Sequence, residues 1–111
     1  MHNPPWNREE LILLMDLYAR HGALSSQHAE VIELSKLLNR LAGRAPTPTF
    51  RNPTGISMKL ANLLALDPDY PGVGLSAASR GDQAIWDEFT DHRDQLSHEA
   101  AAIRARILEA G

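Results

Sequence analysis

Cysteine is absent from the chain, which excludes disulfides and any thiolate zinc centre. That absence fits a cytoplasmic protein. Aromatic residues are few, with two Trp, two Tyr and two Phe, so a pocket that stacks a flipped-out base has little to be built from. No apolar run is long enough to cross a bilayer, and the opening MHNPPW lacks the features of a signal peptide. No membrane partner is expected.

The chemistry of catalysis is also missing. Five histidines are present, none in an H-x-x-x-H or HExxH arrangement. Asp91, His92 and Asp94 resemble ligands on paper, but on a helix they fan around the axis and do not converge. Neither a GxSxG elbow, a P-loop nor a GxGxxG turn occurs. The paired acids Glu9-Glu10 and Asp87-Glu88 sit where acids favour a helix dipole. No metal site, no cofactor and no enzymatic activity are expected of this stretch of chain.

What is present begins with charge. The net charge is -3, and taken alone it argues against nucleic-acid binding. Its distribution argues otherwise. From Leu34 to Leu66 there is no acid, while Lys36, Arg40, Arg44, Arg51 and Lys59 carry +5, leaving -8 for the remainder. A basic middle in an acidic frame suits an anionic partner. A solvated face with chance clustering is the plain alternative.

Periodicity predicts helices and no strand. Asn7 and Glu10 form a capping-box start to a helix lined by Leu11, Leu14, Met15 and Tyr18 and stopped at Gly22, with Trp6 as an apolar lid. A second helix is expected after Ser25-Ser26, with Val31, Leu34, Leu38 and Leu41 on one face and Gly43 closing it. Three prolines between Arg44 and Pro53 predict a loop. Thr54 is read as the cap of a third helix running from about Gly55 to Leu66. Ile56, Leu60, Leu63 and Leu64 are its buried stripe, and Met58 and Asn62 face away. A turn-rich loop follows, Asp67 to Gly74. Asp82 then caps a long final helix with Ile85, Phe89, Leu96, Ile103 and Ile107 inside, bending near Asp91-His92. The expected fold is all-α: a compact single domain of four to five helices with Pro/Gly-rich functional loops.

Two segments are specific enough to carry function. Arg51 and Asn52 precede a helix N-terminus, where backbone N–H groups favour a phosphate. Arg51 adds a permanently charged fork, and Asn52 suits a base edge. In the second segment, Tyr70-Pro71-Gly72-Val73-Gly74 is a stiff turn with an apolar surface. If Tyr70 belongs to the core and Pro71-Gly72 merely connects helices, the segment needs no further explanation.

NPPW, REELILLMDLYARHG, FRNPTG, MKLAN and LDPDYPGVGL together resemble the N-terminal recognition region of McrA-like, modification-dependent HNH endonucleases. The resemblance runs over essentially the whole chain. Within that group it is most similar to the DNA sulfur-binding domains. The resemblance implies that residues 1–111 are a modified-DNA-binding domain joined in the parent protein to a C-terminal HNH nuclease, which this sequence does not contain. The implied role is the targeting module of a type IV restriction endonuclease, with double-stranded phosphorothioate DNA as partner. A phosphorothioate replaces one non-bridging phosphate oxygen by sulfur, which is larger and less well hydrated. A reader therefore needs an apolar surface beside cations. The candidates are Tyr70, Pro71, Gly72 and Gly74 for the surface. Arg20, Arg44, Arg51, Lys59 and Arg80 are the candidates for phosphates, and Asn52, Thr54 and Ser57 for base edges or the contact loop. Thr54 stands where the pattern has Asn, and Leu63 where it has an aromatic, so any inherited sequence preference is open at Thr54. A 5-methylcytosine reader is the second reading, and a helical protein-interaction module a third of another class. A homodimer is left open.

Overall fold

The computed structural model describes residues 3–44, 47–72 and 78–110. Among the described residues there are five helices: α1 (Arg8–His21), α2 (Ala29–Leu41), α3 (Pro53–Leu66), α4 (Arg80–Phe89) and α5 (Arg93–Ala110). The fold is all-α, and no strand occurs among the described residues. No helix there is long and apolar enough to cross a membrane. The radius of gyration is 13.3 Å, close to the value of about 13 Å expected for one domain of this length.

α1 starts where the capping box predicts. The Asn7 side chain accepts from the Glu10 N–H at 2.9 Å, and the Glu10 carboxylate accepts from the Asn7 N–H at 2.9 Å. Gly22 ends the helix with φ at 72°, a conformation only glycine takes without strain. The structure departs from a one-faced stripe: every residue from Glu10 to Tyr18 is buried. α1 is therefore the central helix, and the other four pack around it. A helix buried on all sides needs apolar residues all round, and Leu11-Ile12-Leu13-Leu14-Met15 supplies them.

Four boundaries differ from the sequence reading. α2 begins at Ala29, not directly after Ser26, because the Ser25 carbonyl accepts from the His28 N–H in a turn and His28 Nδ1 then caps the Glu30 N–H at 3.1 Å. α3 begins earlier than expected, at Pro53. Asn52, not Thr54, is its cap, accepting from the Gly55 N–H at 2.7 Å; Pro53 at the first helical position loses no N–H bond. Ser79, not Asp82, caps α4, and Asp82 completes a second capping box three residues on. The expected long final helix is two helices, broken at Thr90 to His92, so the bend at Asp91-His92 is a full interruption.

The core joins all five elements. Leu13, Leu14, Leu38, Ile56, Leu60, Leu63, Phe89 and Leu96 are fully buried. Tyr18 meets Trp86 edge to face, with ring centroids 5.7 Å apart, a favoured aromatic geometry. Asn62 is a further correction: it is buried and its amide donates to Asp82 at 3.4 Å. α4 packs on the side of α3 that the helical wheel assigned to solvent.

Candidate nucleic-acid interface

Arg51 is the residue whose placement differs most from expectation. Its side chain is buried. Nε donates to Glu10 Oε2 at 2.7 Å, and Nη2 donates to Glu10 Oε1 at 2.9 Å and to the Pro4 carbonyl at 2.9 Å. Trp6 and Phe50 flank the guanidinium, 4.8 and 4.6 Å from their ring centroids. Its backbone has φ at 46°, a left-handed conformation costing a non-glycine residue roughly 1–2 kcal/mol. The surroundings enforce it: Ser35 Oγ donates to the Arg51 carbonyl at 2.7 Å, and Asn39 Nδ2 donates to the Phe50 carbonyl at 3.1 Å. The phosphate role expected for Arg51 has no exposed group to perform it. Its guanidinium instead ties the N-terminal lead-in, α1 and the loop before α3 together.

Two more of the expected cations are engaged. Lys59 donates to the buried Asp82 at 2.6 Å, with 17% of its side chain exposed. Arg20 donates to Asp16 at 3.1 Å and reaches Glu30 at 3.3 Å, on the side of α1 that faces Arg104 of α5. Arg44 and Arg80 are exposed and form no ion pair among the described residues. Arg44 lies over the Phe50 ring at 4.2 Å.

The base-edge candidates divide as well. Asn52 uses its oxygen as the α3 cap and its amide on the Pro48 carbonyl at 2.8 Å. Ser57 Oγ donates to the Leu24 carbonyl at 2.7 Å, fastening α3 to the α1–α2 connection. Thr54 is exposed at the first turn of α3.

At the other end of α3 the expected reader turn is presented outward. Tyr70 is 54% exposed, and Pro71 and Gly72 are exposed. Tyr70 is therefore not a core aromatic. The turn is anchored at Asp67. The Tyr18 hydroxyl donates to Asp67 Oδ2 at 2.8 Å, Oδ1 accepts from the Asp69 N–H at 2.9 Å, and the Asp67 carbonyl accepts from the Tyr70 N–H at 3.1 Å. Burial first, then the bond to Asp67, push the Tyr18 hydroxyl well above the ordinary tyrosine range. Gly72 has φ at 79°, a genuine requirement for glycine. Val73 and Gly74 lie outside the described residues.

The structure thus strings the exposed candidates along α3. Arg44 and Thr54 lie at its start, Arg80 lies within the Ser79–Asp82 box that Lys59 joins, and Tyr70 lies past its end. At about 1.5 Å per residue, the helix separates the two ends by roughly 20 Å. The Asp67 anchor was missed in the sequence, though Asp-Pro-Asp is a turn in which a side chain bonds the backbone two residues on. Tyr18 as its partner, and Glu10 as the counter-ion of Arg51, left no local signal.

No group of three or more His, Asp or Glu placed to hold a metal occurs among the described residues. The chain matches no family model, no curated protein and no solved structure.

Proposed function

We propose that this chain binds double-stranded DNA and reads a phosphorothioate through the turn at Tyr70, Pro71 and Gly72, as the targeting module of a modification-dependent restriction endonuclease. The observation that carries the reading is the exposure of Tyr70. Tyr18, Phe50, Trp86 and Phe89 are all buried, whereas Tyr70 stands in solvent on a turn fastened to the core through Asp67. A folded domain has no packing reason to hold an aromatic there.

The physical logic is a difference between sulfur and oxygen at one position. Charge contributes little to that difference, because both groups are anionic. Apolar contact does contribute: about 40 Å² at ~25 cal/mol per Å² gives about 1 kcal/mol, roughly fivefold in affinity. Arg44 and Arg80, exposed and without an ion pair among the described residues, supply sequence-independent attraction to phosphates.

The test is fluorescence anisotropy on one duplex made plain, with a single phosphorothioate, and with 5-methylcytosine. The sulfur-bearing duplex binds most tightly, and Tyr70→Ala brings its dissociation constant towards that of plain DNA while circular dichroism stays unchanged. Equal binding of plain and phosphorothioate DNA by the wild type sinks the reading. A preference for 5-methylcytosine transfers it to the methylated base.

A further inference from the structure

The ends of α2 and α5 wall a cleft of about 510 Å³, and neither Tyr70, Pro71 nor Gly72 lines it. Arg40, Arg44 and Arg106 stand around it, and Leu41, Ile107 and Ala110 give it an apolar wall. The volume falls in the range of small-molecule sites, about 300–1,000 Å³.

Cations near helix C-termini are common because they complement the dipole. Here that need is already met for α2. The Leu38, Arg40 and Asn39 carbonyls accept from the Ala42, Gly43 and Arg44 N–H groups at 3.1, 2.9 and 3.0 Å. Arg40 and Arg44 are not required as caps of α2. Arg44 is held with its guanidinium over the Phe50 ring. Stacking of this kind uses the face of the fork and leaves its in-plane N–H groups able to donate. Arg40 forms no ion pair among the described residues, and Arg106 pairs with Glu9 at an exposed position, where such a pair is weak and yields to a stronger anion.

Three guanidinium forks offer more donors than one carboxylate has oxygens to receive. A phosphate monoester, doubly charged and with three terminal oxygens, matches them. A bare phosphate leaves the apolar wall unused. A ligand that uses both carries its phosphate on a poorly hydrated body. We propose that this cleft binds a nucleoside monophosphate, its phosphate among Arg40, Arg44 and Arg106 and its base against Leu41, Ile107 and Ala110. The inference does not rest on the DNA reading, although Arg44 is shared between the two, which is why Arg40 and Arg106 carry the test.

The experiment is an NMR titration of the full chain with adenosine 5'-monophosphate, adenosine and inorganic phosphate, each to roughly 10 mM, since millimolar affinity is the weakest worth calling a site. The amides of Leu41, Gly43 and Ile107 shift with the nucleotide, which binds roughly tenfold or more tightly than either fragment. Arg40→Gln and Arg106→Gln each weaken the nucleotide by a similar factor. The remaining spectrum reports that both variants are folded, and the phosphorothioate preference of Arg40→Gln matches wild type. Failure of that last match alone counts against separate sites. Absence of shifts in these amides overturns the proposal. So does phosphate or adenosine binding as tightly as the nucleotide, because the cleft then selects only charge or only apolar surface.

Discussion

Burying Glu10 in the first turn of the central helix commits the chain to burying a cation beside it. Arg51 answers with two hydrogen bonds to the carboxylate, the fork geometry that suits a carboxylate best. Removing one partner of such a pair leaves the other charge buried and alone. Arg51→Ala is therefore expected to lower unfolding free energy by about 3–5 kcal/mol, read as a lower urea midpoint. Replacing Glu10 and Arg51 together by methionine should cost less than Arg51→Ala alone. Tyr18 makes a second prediction at this scale. Its hydroxyl is raised above the ordinary value of 10.0 by burial and by Asp67. Below that ordinary value it is protonated folded and unfolded, and its contribution is whole. Above it the unfolded chain releases the proton first, so stability falls as pH rises further. The urea midpoint should drop between about pH 8 and about pH 11 more in wild type than in Tyr18→Phe; equal drops would remove Tyr18 from the account.

Among the elements, α3 depends on how its first turn is made. Asn52 accepts from Gly55 and donates to Pro48. Asn52→Ala should cost about 1 kcal/mol of stability, measured by urea unfolding. Asn52→Asp should keep the cap and lose only the bond to Pro48, a smaller loss. If Asn52→Ala unfolds like wild type yet alters the preferred flanking base, Asn52 reads DNA instead of building the helix. The five helices were largely legible in the sequence, because apolar spacing and the Asn7–Glu10 and Gly22 signals are local. The capping of α3 was misplaced because Asn52 and Thr54 are both good caps, and only Pro53 between them decides. Burial of Asn62 and Arg51 was illegible. It depends on α4 and on Glu10, which are distant in sequence, and a helical wheel assigns solvent to any face whose neighbour is unknown. The turn at Asp67 to Gly72 was legible from Pro and Gly chemistry, whereas the exposure of Tyr70 was open until its packing was known.

For the molecule as a whole, the +5 of the basic middle shrinks once pairings are counted. Arg51 and Lys59 meet Glu10 and Asp82 inside, and Lys36 meets Glu33 on the surface. Along α3, Arg44 and Arg80 remain for phosphates. Log affinity for DNA should then fall with log salt with a slope of roughly -2, measured by anisotropy across a salt series. A slope near -4 would mean that further cations, such as the exposed Arg40, also meet phosphates. The central position of α1 has a consequence for how the chain is made. Its apolar surface leaves the ribosome before α5 does, yet a large part of its cover is α5, whose Arg104 and Arg106 reach back to Asp16 and Glu9. Until α5 has emerged, the buried apolar run Leu11–Met15 has no permanent neighbour on that side. A nascent chain halted before Arg93 should therefore be the species that chaperones retain and that aggregates when released.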